Sequence, residues 1–370
     1  MRSFIPDRFA LTRTLREDRQ STTFLATDHL LDRDNIILKI IRKDYVQADR
    51  DQLVEHFSWV VGVQHDQFAI VLDAGLTKQH HLYYVREYLP PSELLSADPL
   101  TTMKSLVSAV DFLSGNGRVH GGMKPSNVFV TNGSLKLADA KFLGLRSFDD
   151  EQSVHFFAPE ILQGGAISHE SDLYSVGAIL YRLLTGRHLF EDPDLSRLRS
   201  KYMSASPPPA TYLWPVPQGI SELVPELLSK EPGKRITAFA GLKRTLALEG
   251  AVASRAAFVG RENQFRQAVE MVQNPTKNLR VLLIEGEIGI GKSRFVAEMQ
   301  LHCAFHGQAF VVWHCSHKSK ELAPVTEGLN KLLNCLNSLR ARSKIDLGSL
   351  TPAIPDYLTV PGDLPAKEKN

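Results

Sequence analysis

A change of hydrophobic period between the first strands and the helices after residue 100 constrains this chain more than any other feature. Before it, short segments rich in β-branched and aromatic residues alternate with polar turns, which predicts strands. Beyond it, apolar residues recur every three or four positions, which predicts helices. We therefore expect a small β-rich lobe and then a larger α-rich lobe. The predicted early elements are strands at Ser21–Ala26, Asn35–Ile41 and His81–Val85, and one helix at Arg50–Val61.

The α-rich part has helices predicted at Thr102–Leu113, Ser171–Leu184 and Ser221–Leu228. Between them, Ser206–Gln218 contains five prolines. Proline lacks an N–H donor and clashes with the preceding helical turn, so this segment is expected to be a surface connection. A second break, at Glu249–Ala257, separates the two lobes from the remainder of the chain.

Composition and charge exclude several other classes of protein. The 370 residues are 43% hydrophobic and 23% charged, with a formal net charge of +2, which is typical of a soluble chain and does not indicate nucleic-acid binding. No apolar stretch approaches the ~20 residues of a membrane-spanning helix. The cysteines are Cys303, Cys315 and Cys335, too few for a disulfide framework, so we expect a cytoplasmic protein.

A glycine-rich segment near the end of the chain carries the clearest binding motif. Gly286–Ser293 fits the pattern G-x-x-x-x-G-K-[ST] in full, with an apolar predicted strand, Leu279–Glu285, before it and a predicted helix, Arg294–His306, after it. In such a loop, main-chain N–H groups and the lysine bind phosphates, and the serine hydroxyl binds Mg²⁺. The expected ATP-binding residues are Gly286, Gly289, Gly291, Lys292 and Ser293, of which Ser293 is also the expected Mg²⁺ ligand.

The segment before this loop adds a family resemblance. Phe258-Val259-Gly260-Arg261-Glu262 resembles the F-V-G-R-E signature that opens the AAA-type ATPase domains of the STAND branch of P-loop signalling proteins. The resemblance implies that Arg261 lies beside the nucleotide. No apolar strand ending in two acidic residues follows Ser293, so nothing would hold Mg²⁺ from its second side. We expect residues 258–370 to be the N-terminal part of an α/β P-loop NTPase domain, truncated and poor at hydrolysis.

A row of ordered signatures before residue 236 resembles the protein kinase family. The resemblance covers about the first 250 residues, and the Lys-Pro-Ser of its loop is closer to serine/threonine than to tyrosine kinases. The signatures are Ile36-Ile37-Leu38-Lys39 for V-A-I-K, His120-Gly121-Gly122-Met123-Lys124-Pro125-Ser126-Asn127 for H-R-D-L-K-P-x-N, Asp139-Ala140-Lys141 for D-F-G, Ala158-Pro159-Glu160 for A-P-E, Ser171-Asp172-Leu173-Tyr174-Ser175-Val176-Gly177 for S-D-V-Y-S-L-G, and Lys230-Glu231-Pro232-Gly233-Lys234-Arg235 for K-x-P-x-x-R.

This resemblance implies an α+β bilobal protein-kinase fold in residues 1–250. The small lobe is expected to cover about 1–89 and the large lobe about 90–250, with a linker at 251–257. In this fold Glu160 is expected to pair with Arg235, and Asp172 to brace the backbone of the loop that contains Gly122.

Several positions that perform phosphoryl transfer depart from the family pattern. Gly122 stands where a kinase has the aspartate that accepts the hydroxyl proton, and Gly121 replaces the neighbouring arginine. Ile37 replaces the small residue that faces adenine, and Arg86 replaces an apolar residue just before the hinge residue Glu87. The positions of the phosphate-loop glycines read Arg16, Asp18 and Ser21, whose side chains would crowd a close backbone approach.

Other positions that handle ATP keep their usual residue types. The resemblance implies that Lys39 contacts phosphates and pairs with Glu55 on the predicted helix. Asn127 and Asp139 are the expected Mg²⁺ ligands, and Lys124 is expected to reach the γ-phosphate. The sequence therefore predicts ATP and Mg²⁺ as cofactors, with Lys39, Glu55 and Glu87 on the cofactor-binding side of the cleft.

These two resemblances favour an ATP-binding signalling regulator of the kind found in bacterial multidomain proteins. In this interpretation a degenerate serine/threonine kinase domain, a pseudokinase, controls or is controlled by the P-loop switch, and the partner is an unidentified signalling protein or output domain. Two alternatives stay open: an active serine/threonine kinase, in which another carboxylate such as Asp139 orients the substrate, and a non-catalytic scaffold.

Overall fold

Five strands before residue 88 form one antiparallel sheet in this computed structural model. The central strand β3 is rich in isoleucine and leucine, which suit a pleated, buried surface. The predicted early strands and the helix are confirmed, with strand ends that differ by one or two residues. The elements are β1 (Phe9–Glu17), β2 (Ser21–Asp28), β3 (Arg33–Ile41), α1 (Arg50–Val61), β4 (Val71–Leu76) and β5 (Leu82–Glu87), and the strand order in the sheet is β1-β2-β3-β5-β4.

The structure describes most of the chain up to residue 248 and a smaller part beyond it. The described residues are 8–29, 33–46, 48–61, 63, 65–91, 98–131, 134–140, 151–209, 211–217, 219–248, 261–273, 282, 284, 290–306, 308, 310 and 312.

The two faces of β3 carry different side chains, as the two-residue period of a strand requires. Ile36, Leu38 and Ile40 are buried in one apolar cluster. Ile37 and Lys39 lie on the opposite face, where their ladder partners on β5 are Arg86 and Tyr84. This second face is the one that meets the large lobe.

Helices dominate the large lobe and surround α5, most of whose residues are buried. A capping box between Ser168 and Ser171 begins α5, and Gly186, with a φ of 72°, ends it in the left-handed region that glycine tolerates. The predicted non-helical stretch around Ser206–Gln218 is confirmed for its described residues. The elements are α2 (Pro99–Gly115), β6 (Val128–Thr131), β7 (Ser134–Leu137), α3 (Glu151–Val154), α4 (Pro159–Leu162), α5 (His169–Thr185), α6 (Leu195–Ser204), α7 (Ile220–Leu227) and α8 (Pro232–Thr245).

The predicted ion pair between Glu160 and Arg235 is confirmed. The guanidinium is fully buried and bidentate, with Nη1 2.6 Å from Oε1 and Nη2 2.9 Å from Oε2 of Glu160. It also donates to the carbonyl oxygens of Ser229 and Glu170, at 2.8 and 2.9 Å. A buried arginine with this many partners ties α4, α5 and α8 together.

Two further helices lie beyond the large lobe, α9 (Glu262–Gln273) and α10 (Lys292–Phe305). Helix α10 matches the helix Arg294–His306 that was predicted after the glycine-rich segment. A small apolar cluster joins them, and Leu282 and Ile284 pack against it. Most of the predicted strand Leu279–Glu285 and the linker 251–257 lie outside the described residues. None of the described helices is long and apolar enough to cross a membrane.

Candidate nucleotide-binding cleft

Asp139 is the centre of a hydrogen-bond network between the two lobes. Its Oδ2 accepts from Lys39 Nζ at 3.1 Å, and its Oδ1 accepts from Tyr84 Oη at 2.9 Å and from Arg86 Nε at 3.0 Å. The two cations and the tyrosine come from β3 and β5 of the small lobe, whereas Asp139 follows β7 of the large lobe. The sequence predicted a role for Lys39 and Asp139 but gave no indication of Tyr84.

Electrostatics keep this carboxylate ionised. Burial alone would raise the pKa of Asp139, but the charges of Lys39 and Arg86 outweigh burial and hold that pKa well below its usual range. The residue has a φ of 58°, in the left-handed region that aspartate tolerates better than most residues. The surrounding ion pairs therefore fix both the charge and the direction of the side chain.

The arrangement around Asp139 does not fit Mg²⁺. Both carboxylate oxygens accept hydrogen bonds from positively charged groups, and the charges of those groups oppose a metal ion at the same carboxylate. Asn127, the other expected ligand, donates from Nδ2 to the carbonyl oxygen of Gly122 at 2.9 Å, a contact that leaves its Oδ1 as the atom that could bind a metal. The cations that hold Asp139 thus disfavour Mg²⁺ at this carboxylate by their charge.

Arg86 is a buried cation in the cleft beside Asp139. Its side chain is almost entirely buried, and its Nη1 donates to the carbonyl oxygen of Glu87 at 3.0 Å. Its guanidinium carbon lies 5.3 Å from the ring centroid of Phe129 on β6, within the range of a cation–π contact. Across the ladder, Arg86 pairs with Ile37, the other enlarged residue that the sequence indicated. Two departures from the family pattern are therefore neighbours in space.

The predicted ion pair between Lys39 and Glu55 is not formed. Lys39 binds Asp139 instead, and Glu55 is 79% exposed in its side chain, with Arg118 3.8 Å away. The physical reason is the rotation of α1, which buries Leu53 and Phe57. Glu55 lies two residues from each of them and is therefore on the opposite side of the helix.

The predicted hinge residue Glu87 accepts hydrogen bonds from both lobes. Its Oε1 accepts from the backbone N–H of Ile70 at 2.8 Å and from Lys136 Nζ at 2.6 Å. Lys136 is on β7, so this ion pair also connects the two lobes. The carboxylate is thereby held by partners within the chain.

Asp172 holds the backbone of the loop that contains Gly122. Asp172 accepts from the backbone N–H groups of His120 and Gly121, at 2.5 and 2.9 Å, as the resemblance implied. Burial raises the pKa of Asp172 to about 7, although these two donors lower it. Lys124 is buried, and its Nζ donates to Ser153 Oγ at 2.9 Å.

The hairpin between β1 and β2 is closed by a carboxylate. Asp18 Oδ1 accepts from the backbone N–H groups of Gln20 and Ser21, at 2.9 and 2.8 Å. Arg16 Nε lies 3.5 Å from the same carboxylate. A phosphate that approached these N–H groups would meet a like charge, so this hairpin is a poor phosphate clamp.

The glycine-rich segment is only partly within the described residues, because Gly286 and Gly289 lie outside them. Gly291, with a φ of 97°, precedes the first residue of α10, Lys292. Arg261 Nη2 donates to the carbonyl oxygen of Ile290 at 2.6 Å, so the structure places the predicted arginine beside the predicted loop. Ser293 is in the first turn of α10, where N–H groups point toward the loop.

The fold is that of a two-lobed kinase. It has a small lobe with an antiparallel sheet, a helical large lobe, and a lysine of the small lobe paired with an aspartate of the large lobe. The model of the protein kinase domain matches residues 20–246, and the chain belongs to this family.

The chain is similar to several serine/threonine kinases and spans about two fifths of the length of the curated relatives described here. It is 27% identical to serine/threonine-protein kinase PrkC of Bacillus subtilis over 255 residues, which cover 62% of this chain and 39% of PrkC. It is 25% identical to probable serine/threonine-protein kinase PknB of Lactococcus lactis over 254 residues, 62% of this chain and 40% of PknB. It is 26% identical to serine/threonine-protein kinase pkn3 of Myxococcus xanthus over 231 residues, 54% of this chain and 42% of pkn3.

Proposed function

We propose that this chain is an ATP-binding regulator whose kinase domain does not transfer phosphate. The observation that carries the proposal is the state of Asp139, which is held by Lys39 and Arg86 and is unsuited to Mg²⁺ as arranged. The residue that would accept the substrate proton is replaced by Gly122. Phosphoryl transfer depends on metal charge and on a positioned carboxylate, and both are compromised in this cleft.

The glycine-rich segment would supply the nucleotide switch of this regulator. Its motif is complete in sequence, and its arginine and the start of α10 are adjacent in space. ATP binding at Lys292 would then change the chain's interaction with a signalling partner or a further domain, in the cytoplasm where ATP is abundant. The kinase domain would act by contact, as a regulator of the P-loop NTPase or as its target.

Labelled ATP separates this function from its rival. The full chain, Lys39→Ala and Lys292→Ala would each be incubated with Mg²⁺, ATP labelled at its γ-phosphate and a generic acceptor protein. We expect the full chain to bind ATP, to lose most of that binding in Lys292→Ala, and to transfer no more label than Lys39→Ala. Transfer that Lys39→Ala abolishes would contradict the proposed function.

The relatives favour one alternative, an active serine/threonine kinase. PrkC, PknB and pkn3 are all described as serine/threonine-protein kinases. In that case Arg86 would have to leave Asp139 when Mg²⁺ and ATP bind. The same assay decides this, because a kinase would label the acceptor in a manner that depends on both Lys39 and Mg²⁺. Absence of ATP binding in every variant would favour the scaffold.

A further inference from the structure

Helix α10 has two buried stripes on opposite sides. Phe295, Met299 and Cys303, spaced by four residues, are buried in the cluster that joins α10 to α9. Leu301 and Phe305 are buried in a different cluster, inside the small lobe. Positions two residues apart on a helix lie on opposite sides, so 301 and 303 face different cores. Helix α10 therefore connects the segment after the kinase fold to the kinase fold itself.

The surface that receives α10 is formed by α1 and the sheet. Leu301 and Phe305 pack among Leu53 and Phe57 of α1 and other apolar residues of β3, β4 and β5. On β4, Gly75 permits the helix to come close, because a Cβ atom there would lie 3.1 Å from the Cβ atom of Ala304. The contact is thus tight on the sheet side and apolar on the α1 side.

An aromatic row connects this contact to the cleft. The ring centroids of Phe305 and Phe57 are 5.7 Å apart, and those of Phe57 and Tyr84 are 6.1 Å apart. Tyr84 then donates from Oη to Asp139 Oδ1 at 2.9 Å. A side chain at the end of α10 is therefore three contacts away from the carboxylate at the centre of the cleft.

The same contact adds to the burial of Phe57 in the small lobe and so supports the rotation of α1. Phe57 faces Phe305, and the exposed Glu55 lies on the other side of the helix. With α10 in place, α1 cannot turn Glu55 toward Lys39 without removing Phe57 from its cluster. In this arrangement Lys39 is paired with Asp139.

We propose that α10 is an intramolecular docking helix that holds the kinase cleft in its metal-excluding state through Phe57 and Tyr84. This deepens the proposed function, on which it rests, by naming how the two halves of the chain communicate. Because α10 begins at Lys292, a change at the glycine-rich loop and a change in the cleft act on the same helix. Energetic coupling of this kind is reciprocal, so a ligand in the cleft would also act on α10.

Hydrogen exchange on the full chain tests the docking. Phe305→Ala is compared with Phe295→Ala, which removes the same side chain from the opposite face of the same helix. We expect Phe305→Ala to raise exchange in α1 and β5 by on the order of tenfold, because local opening follows the loss of buried contacts. Phe295→Ala should raise exchange in α9 and α10 and leave α1 unchanged. An unchanged α1 in Phe305→Ala, or an equal increase in both variants, would overturn the proposal.

Binding of ATP with Mg²⁺ tests the connection to Asp139. Lys292→Ala is used as the background, so that binding reports on the kinase cleft. We expect Phe305→Ala to tighten Mg²⁺–ATP binding by about threefold or more and to have no further effect when Tyr84→Phe is also present, as expected for coupled sites. Phe305→Leu, which refills much of the space, should bind like the background chain. If Phe305 has only a structural role, Phe305→Ala should weaken Mg²⁺–ATP binding both with and without Tyr84→Phe, and that result would contradict the proposal.

The two proposals fail on different results. Labelling of the acceptor that depends on Lys39 contradicts the proposed function, whatever α10 does. An α1 that does not respond to Phe305→Ala contradicts the docking role, even if no phosphate is transferred.

Discussion

Arg86 brings a buried positive charge into the cleft between the lobes. Its guanidinium is buried between Asp139, the carbonyl of Glu87 and the ring of Phe129. A buried arginine is stable only with such partners, because an unpaired charge in the interior is costly. Its presence beside Asp139 adds positive charge next to the carboxylate that the sequence indicated as a Mg²⁺ ligand.

Replacement of Arg86 tests this role. Arg86→Leu removes one of the two cations from Asp139 and leaves the uncharged Tyr84 hydroxyl as the described donor to Oδ1, which lowers the electrostatic opposition to a metal. A hydrogen bond to a charged group contributes ~1.5–3 kcal/mol, so we expect Mg²⁺ to tighten ATP binding about tenfold in the variant and much less in the parent chain. Isothermal titration in the Lys292→Ala background, with and without Mg²⁺, measures this. Arg86→Lys, which keeps the charge, should behave like the parent, and equal Mg²⁺ dependence in all three would contradict the role.

At the scale of elements, the contact between α5 and α7 depends on the absence of a side chain. A Cβ atom on Gly177 would lie 2.8 Å from the Cβ atom of Leu227 and 3.3 Å from its carbonyl carbon. These are backbone-near atoms, so neither helix can move aside locally. The glycine thus sets how closely the central helix of the large lobe packs against its neighbour.

Gly177→Ala should therefore destabilise the protein although alanine is the better helix former. We expect a loss of ~1–3 kcal/mol in the free energy of unfolding, as overpacking of a core produces. Urea denaturation of the full chain measures it. Gly233→Ala is the control, since nothing lies within 4 Å of a Cβ atom there. That change should be neutral or stabilise by up to about 1 kcal/mol, and equal losses in both variants would contradict the packing argument.

At the scale of the whole molecule, Asp139 is a tether between the lobes. Its carboxylate accepts hydrogen bonds from Lys39, Tyr84 and Arg86 of the small lobe. The ion pair between Glu87 and Lys136 also joins the two lobes. Main-chain bonds add to this, since Ala69 N–H donates to the Leu137 carbonyl at 2.8 Å. These polar contacts act beside an apolar cluster of Ala69, Leu89, Ala138 and Phe129, and beside the ring of Phe68, which packs against the core of the large lobe.

Asp139→Asn should reduce stability in a manner that depends on pH. The pKa of Asp139 is held below its usual value, so its stabilising contribution is present above about pH 4, where an unfolded aspartate is ionised, and is lost as the pH falls toward the lower folded pKa. Loss of one partner of a buried ion pair costs ~3–5 kcal/mol. We expect the difference in unfolding free energy between parent and variant to be largest near neutral pH.

Urea titrations between pH 3 and pH 8 would measure this difference in unfolding free energy. The difference should begin to shrink as the pH falls below ~4. Asp66→Asn is the matched control, because Asp66 is exposed. A difference that stays constant across the whole range, or one that Asp66→Asn reproduces, would contradict the tether.

The sequence by itself determined the lobes, most of the elements and the structural pairs of this protein. Local patterns decide these features: the two-residue period of β3, the capping residues of α5 and the ordered motifs that carry Glu160, Asp172 and Arg235. Each depends on short-range periodicity or on a fixed spacing along the chain, so each can be recognised from the sequence alone.

The tertiary structure alone decided the state of the cleft and the place of α10. The partner of Lys39 is Asp139 rather than Glu55, because the rotation of α1 follows from which of its residues the small lobe buries. Tyr84 gives no sign of its role in sequence, since it reads as one more aromatic residue of a strand. Contacts between residues far apart in the chain, such as Phe57 with Phe305, depend on how elements pack in three dimensions, and no local pattern encodes that packing.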